Sequence, residues 1–460
     1  MPKLDPTTSE FRAAAHKAVD WIADYFDNID SFPVLSRVQP GDIERQFEAG
    51  PSNSGKSYDE LFAEFEQKIL PGITHWNHPS FFAYFSITGS QAGVIAELLS
   101  AAINANGMLW KTSPALTELE TLALRWLRDA LGLPSNLFGI INDTASINVF
   151  LALAAAREAL GLDIRRLGIA GRDLPALRIY CSEHAHSSVE KGALALGFGQ
   201  SGVIKVAADD AFRMRPEALE AAIARDRAAG ALPCAVVATA GTTSTGAVDP
   251  VRALGEIAKR ENCWFHVDAA YAGSATIVPE YRFLWDGIEL ADSIVTNPHK
   301  WLFTPIDCSV LYTTRPEVLR ETFSLVPEYL TTTDTAEINY MDYGLQLGRR
   351  FRALKLWMVM EHYGLERMRE VIRGHVGFAV RLAEELRKRD DVEVLSQSFS
   401  VVVFRLTAGD EATAALLERM NASGTLFVSH TKLGGHYAVR VAIGNGATEW
   451  RHVEAILGMV

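Results

Sequence analysis

Four short runs rich in β-branched and aromatic residues, RIYC (178–181), AVVAT (235–239), CWFHV (263–267) and SIVT (293–296), are separated by stretches of helical periodicity. This alternation constrains the chain more than any other feature. Strands joined through helices form βαβ units, whose strands run parallel in one sheet. Each run also breaks off into chemically capable residues, giving IYCSEHAHSS, VVATAGTTS, FHVDAAYAG and SIVTNPHKWL. The carboxyl ends of the strands in an open parallel sheet line one crevice, where ligands bind. His186, Thr243, Asp268 and Lys300 are therefore expected to converge, although they lie far apart in the chain.

The flanks read differently. Residues 1–80 are expected to be a helical segment, because Phe11, Ala14, Ala15, Ala18, Ile22, Tyr25, Phe26 and Ile29 form one apolar stripe. A second helix begins near Ser57, with Leu61, Phe62, Phe65 and Ile69. Such helices need a surface to cover, on their own body or on a second subunit. Residues 81–350 form the α/β region, and residues 351–460 a smaller α+β domain with long helices around 351–390 and 410–420. In YAVRVAI, Val439, Val441 and Ile443 alternate with Ala438, Arg440 and Ala442, which reads as a sheet with one solvated face.

Bulk properties exclude several partners. A formal net charge of -12 argues against nucleic acid, and the basic run RRFRALK (349–355) reads as a solvated helix face. The longest apolar run, around VFLALAAA (149–156), is far shorter than the ~20 residues of a spanning helix, so no membrane is expected. The opening MPKLDPTTSEF lacks the basic and apolar regions of a secretory signal. Four cysteines stand far apart with no CxxC pair, which fits small core residues in a reducing compartment. A cytoplasmic protein is expected.

Two glycine motifs fail on context. GPSNSGKS (50–57) spells a phosphate-binding P-loop, but the polar, helix-like GDIERQFEA precedes it where a buried strand is required. GFGQSG (197–202) has its helix before and its strand after, the reverse of a dinucleotide fingerprint. HWNH (75–78) and HAH (184–186) lack a third ligand at a familiar spacing, so no metal is expected.

The lysine in TNPHKWLF carries the chemistry. A Schiff-base lysine needs a partly desolvated amine of lowered pKa. Pyridoxal phosphate supplies the matching aldehyde, and its ring nitrogen needs an acidic partner, for which Asp268 is suited. The segment NDTASINVFLALAAAREALG (142–161) offers a helix with Asp143 or Thr144 as N-cap and Gly161 as its stop. The free N–H groups of Ala145 and Ser146 would face an anion. Asn297 and His299 add donors beside Lys300, and His186 offers a flat ring.

These motifs, together with PGITHWNHPSFFAYF (71–85), SPALTELE (113–120) and LGRRFRALKLW (347–357), resemble the pyridoxal-phosphate-dependent group II amino acid decarboxylases. The aromatic-L-amino-acid branch is the nearest, and the resemblance runs almost end to end. It implies a fold type I subunit with a mostly parallel seven-stranded sheet, a small C-terminal domain, and a homodimer with its active site at the subunit interface. It further implies that Lys300 bears the cofactor, Asp268 pairs with the pyridine nitrogen, and His186 and Ala270 flank the ring. Thr144, Ala145, Ser146, Thr243, Asn297 and His299 would hold or orient it.

In the same resemblance, LVPEYLTTTDTAEIN (325–339) matches a mobile active-site loop whose Tyr329 returns a proton to the substrate. Related aldehyde synthases commonly have phenylalanine there. Trp76, Tyr84, Phe85, Ile87, Asn106, Met108 and Gly348 would line the substrate pocket. The expected activity is decarboxylation of tryptophan, tyrosine, phenylalanine or dihydroxyphenylalanine. The rivals are an aldehyde synthase on the same scaffold, a glutamate-type decarboxylase, an aminotransferase, a P-loop nucleotide hydrolase and a catalytically silent binding protein.

Overall fold

The computed structural model describes residues 4–5, 7–51, 53–325 and 337–460. Its first sheet contains β1 (Phe138–Asn142), β2 (Leu177–Ser182), β3 (Val203–Val206), β4 (Leu232–Thr239), β5 (Trp264–Asp268), β6 (Ser293–Thr296) and β7 (Ser309–Thr313). The spatial order is β1-β7-β6-β5-β4-β2-β3. β7 is antiparallel to both of its neighbours, and the β6–β5–β4–β2–β3 pairs are parallel. The mostly parallel seven-stranded sheet is thus present, and the four runs read as strands fall on β2, β4, β5 and β6.

Helices precede, separate and follow these strands: α1 (Thr8–Asp27), α2 (Tyr58–Glu64), α3 (Gln91–Ile103), α4 (Pro114–Leu131), α5 (Ala145–Glu158), α6 (Ile164–Leu167) and α7 (Ser188–Ala195). They continue with α8 (Pro216–Ala228), α9 (Val251–Arg260), α10 (Pro298–Trp301), α11 (Pro316–Phe323), α12 (Arg352–Arg387), α13 (Asp410–Ala422) and α14 (Trp450–Leu457). α5 is apolar around most of its circumference, with Val149 and Leu151–Ala156 all buried. That is what a helix packed between a sheet and outer helices requires. All four cysteines are buried and unpaired, as expected of core residues.

A second sheet, β10-β11-β9-β8, is antiparallel throughout and comprises β8 (Val392–Ser398), β9 (Val401–Leu406), β10 (Ser429–Leu433) and β11 (His436–Ala442). Its core is a separate cluster that includes Val402, Phe404, Val439, Val441 and Leu416. The chain's early segment packs here. Val34 donates its N–H to Gly424, and Phe81 pairs with Phe427 as a parallel bridge.

Two readings of basic residues are corrected. Within RRFRALK, Arg349, Arg352 and Lys355 are buried, and only Arg350 projects into solvent. Arg349 pairs with Glu120 at 2.6 Å, Arg352 with Asp307 at 2.9 Å, and Lys355 with Glu97. The carboxylates come from distant segments, so sequence periodicity could not reveal them. Arg440 is also buried, because the face of β11 that alternation assigns to solvent is covered by the first domain.

The decoys fold as loops. Ser57 caps α2 reciprocally with Glu60, Lys56 pairs with Glu64 at 2.6 Å, and the described residues among 50–56 belong to no strand. GFGQSG joins α7 to β3 as a chain reversal. His75 bonds Tyr25 at 2.9 Å, and His78 accepts the Ser80 N–H at 3.0 Å, so both histidines serve the packing of the early segment.

Candidate active site

Register brings the predicted residues together. Asp268 is the last residue of β5 and lies opposite Thr239 on β4 and Val295 on β6. β6 ends one residue before Asn297, whose peptide turns the chain into the single-turn α10 that holds Lys300. Pro298 at the first helical position fixes that turn without losing a needed donor. His186 follows β2 and Thr243 follows β4, so all of these residues stand at one edge of the sheet.

The Lys300 amine has no hydrogen bond and no ion pair among the described residues; it stands 4.9 Å from the centroid of the Phe85 ring. Burial lowers its pKa, the Asp268 carboxylate opposes this, and the Arg440 guanidinium reinforces it. The outcome is an amine shifted towards its neutral, nucleophilic form. Asp268 is buried and accepts the Ala270 N–H at 3.1 Å, which fixes the carboxylate beside a residue of the crevice. His186 Nδ1 accepts the Ser188 N–H at 3.1 Å, so its proton resides on Nε2. Desolvation lowers the His186 pKa, Asp268 opposes the shift, and Lys300 adds to it.

The N-terminus of α5 is open. Thr144 occupies the N-cap position but makes no side-chain cap, and Asp143 instead accepts the Thr144 N–H at 2.6 Å. Ala145 and Ser146 therefore present N–H groups that have no partner among the described residues, an arrangement that favours an anion. Asn297 and His299 are buried and turned inward. Asn297 accepts from Ser309 at 2.5 Å, and His299 accepts the Cys308 N–H at 2.9 Å, with burial holding the His299 pKa near 3.

Several contributors escaped sequence reasoning. Asn142 donates to Asn148 at 2.7 Å, Asn148 donates to Ser309 at 2.7 Å, and Ser309 donates to Asn297. This buried relay ties the base of α5 to the lysine turn. The available signal was Asn148 itself, a polar side chain inside an otherwise apolar helix. Arg440 gave no such signal. It donates to the carbonyl of Thr243 at 2.7 Å and to that of Tyr84, lies 4.6 Å from the Phe85 centroid, and has no carboxylate partner among the described residues. Burial lowers its pKa to about 10, and its Nη2 is buried without a partner among the described residues.

The predicted substrate residues divide into two groups. Phe85 lies under Lys300, and Trp76 stacks on Tyr84 with centroids 5.8 Å apart. Tyr84 holds a left-handed φ of 52°, uncommon for tyrosine and stabilised by the Arg440 bond to its carbonyl. Ile87 is partly buried two residues beyond Phe85. Asn106, Met108 and Gly348 form a cluster of their own. Asn106 accepts the Arg349 N–H at 2.9 Å and approaches the Met108 sulfur at 3.6 Å, while a Cβ on Gly348 would stand 3.9 Å from the Asn106 amide. Tyr329 lies outside the described residues.

The donor set can be tested against pyridoxal phosphate. Among the described residues, Thr239 on β4, His266 on β5, Thr296 on β6 and Arg440 on β11 of the second sheet, whose guanidinium reaches the Thr243 carbonyl, each carry a buried polar atom without a partner. An unpaired amine, an adjacent carboxylate, a flat imidazole and an uncapped helix N-terminus match the group's aldehyde, ring nitrogen, ring face and phosphate. The residues fit it.

Comparison with known proteins agrees. Residues 40–407 match the pyridoxal-dependent decarboxylase conserved domain. Tyrosine decarboxylase 2 of Narcissus pseudonarcissus is 41% identical over 98% of this chain and 93% of its own. Phenylacetaldehyde synthase of Arabidopsis thaliana is 40% identical over 98% of this chain and 95% of its own. Among solved structures, Oryza sativa TDC with PLP and tryptamine superposes with a TM-score of 0.95 at 38% identity, covering 99% of both chains.

Proposed function

The chain belongs to the pyridoxal-dependent decarboxylase family, and from that premise we propose that it removes the carboxylate of an aromatic L-amino acid, releasing an arylalkylamine and carbon dioxide. It is a carboxy-lyase whose cofactor is pyridoxal 5'-phosphate. One observation carries the reading: a partly buried Lys300 amine, unpaired among the described residues, over an aromatic ring at the sheet edge that also carries Asp268.

When bound, the cofactor supplies an electron sink for the bond that breaks at the substrate α-carbon. The protein's part is positioning and electrostatics. Lys300, Asp268, His186 and Ala270, with the N-terminus of α5 and Thr243, would hold the group. Burial and Arg440 keep the Lys300 amine available without a base of its own. The Asp268 carboxylate favours a proton on any nitrogen placed against it. Phe85, Trp76 and Tyr84 present aromatic faces to an aromatic side chain. Tyr329 is assigned the proton returned to the α-carbon.

The pocket is completed in a homodimer. Supporting this, α3 exposes Ile95, Leu98, Leu99 and Ile103, and α1 exposes Phe11 and Val19, so the apolar faces of both helices are only partly covered by their own chain. The Asn106–Gly348 cluster would then serve the partner's site. Sedimentation showing a fully active monomer would remove this part of the proposal. Four buried free cysteines accord with a cytoplasmic setting.

Product analysis tests the function. Protein loaded with pyridoxal phosphate is incubated with tryptophan, tyrosine, phenylalanine, dihydroxyphenylalanine and glutamate, and products are identified by mass. An aromatic amine without peroxide is expected. Aldehyde with peroxide and ammonia would replace the reading with that of the synthase, which the likeness to phenylacetaldehyde synthase keeps in view.

A further inference from the structure

Trp301, the residue after Lys300, is buried and donates its indole N–H to Nδ1 of His375 at 2.9 Å. His375 lies on α12 and is buried in turn. Because its Nδ1 accepts, its Nε2 carries the proton and donates to the Asn445 carbonyl at 2.9 Å. One tautomer satisfies both bonds. Burial holds the His375 pKa at about 4, so the imidazole is neutral and both bonds persist at physiological pH. The planes of the Trp301 and His375 rings lie 15° from parallel.

A stack rises from the other side of the indole. Trp301 stacks on Tyr271 with centroids 5.0 Å apart and planes 14° apart. Tyr271 stacks on Phe85 at 4.0 Å and 21°, and the Lys300 amine stands over Phe85. The stack thus begins and ends on neighbouring residues of α10. In a close-packed interior, rotation of the lowest ring displaces those above it. An apolar side chain at position 375 would fill the same space at lower desolvation cost. The imidazole adds a direction that the apolar side chain cannot: it fixes the angle at which the indole lies.

We propose that His375 is a positioning residue for Lys300: it sets the rotation of the Trp301 indole and, through the Trp301–Tyr271–Phe85 stack, the place where the lysine amine stands. The inference deepens the reading of Lys300 as the cofactor-bearing residue and rests on it. Asn445 also donates to the Asn77 carbonyl at 2.7 Å, so the same relay joins the lysine turn to the segment that leads to Tyr84 and Phe85.

The test uses the cofactor-loaded enzyme with His375→Leu, His375→Gln and Trp301→Phe. The charged and titratable groups around the amine, Asp268 on β5, Arg440 on β11, His186 after β2 and His299 on α10, are unchanged in all three. The readouts are the pH titration of the lysine-bound cofactor's visible absorbance, the cofactor trapped on the Lys300 peptide by borohydride, and kcat against KM. His375→Leu should displace the titration midpoint and lower kcat by about tenfold, with KM changed by less than about twofold. His375→Gln, whose amide both accepts and donates, should restore kcat to within about threefold. Trp301→Phe keeps a stacking ring but loses the donor and part of the ring volume; it should reproduce the displaced midpoint, and it decides the matter alone if His375→Leu does not fold. Wild-type loading beside unchanged titrations in His375→Leu and Trp301→Phe would overturn the inference alone. A wild-type enzyme that never acquires lysine-bound absorbance would overturn both the inference and the reading beneath it.

Discussion

Arg440 and Lys300 press on the same aromatic ring: the guanidinium carbon lies 4.6 Å and the amine 4.9 Å from the centroid of Phe85. The Arg440 cation lowers the pKa of the Lys300 amine, and each lies over the phenyl ring, whose π face attracts a cation.

Removing the first cation should be visible in the second. Arg440→Leu is expected to raise the Lys300 pKa and move the activity optimum to higher pH, with activity at neutral pH falling by about tenfold for each unit of displacement. Arg440→Lys keeps the charge but not the fork that reaches both Thr243 and Tyr84, so it should hold the optimum while weakening cofactor retention. An unshifted pH profile in Arg440→Leu would show that the electrostatic coupling is negligible.

Tyr329 is predicted to decide the product. Tyr329→Phe should divert turnover from amine towards aldehyde, with peroxide and ammonia rising together. A variant that still yields amine alone would remove Tyr329 from the protonation role.

Arg349 and Glu120 form an almost wholly buried pair at 2.6 Å, and Arg349 also lies 4.7 Å from the Tyr340 ring centroid and bonds the Ile141 carbonyl at 2.9 Å. Arg349→Met strands a buried carboxylate and should cost about 3–5 kcal/mol in denaturant unfolding. The double variant Arg349→Met/Glu120→Gln should recover part of that loss, giving a coupling energy of about 1–3 kcal/mol. Strictly additive losses would mean that the two residues act independently.

Stability should decline in acid. His78, His266 and His375 are held near pKa 4, and His299 near 3, each chiefly by burial. The unfolded chain therefore takes up these protons first. The stability they contribute is complete above their ordinary value of 6.5 and is lost as pH falls towards 4. Asp249, raised to about 6 by burial, works in the opposite sense and offsets one of the four. The apparent melting temperature of the loaded enzyme should fall by on the order of 10 °C between pH 6.5 and 4.5. A flat profile over that range would contradict the buried neutral imidazoles.

The legible part of this protein was the part written locally. β-Branched runs punctuated by polar residues marked four strands and the edge at which they end. The lysine, aspartate and histidine could be placed there because the end of a strand fixes the position of the next few residues. β1 and β7 were missed. β1 contains a glycine, Gly139, whose missing Cβ leaves room for the Tyr312 ring. β7 runs antiparallel, contrary to the repeating unit that revealed the others.

Charge in the interior was decided by the tertiary structure alone. Arg440 alternates with valines as a solvent-facing residue would, and RRFRALK has the spacing of a wet helix face. Whether such a position meets water or another domain depends on chain hundreds of residues away, and alternation records only that two faces differ. The seat of the Lys300 amine is of the same kind. Residues 85, 271, 301, 375 and 440 share no spacing, and their rings and cations meet because two sheets and a long helix close around them. The sequence by itself determined the reagents and the sheet edge that presents them. Packing determined their protonation and aim, since desolvation and ring contact exist only once the interior has formed.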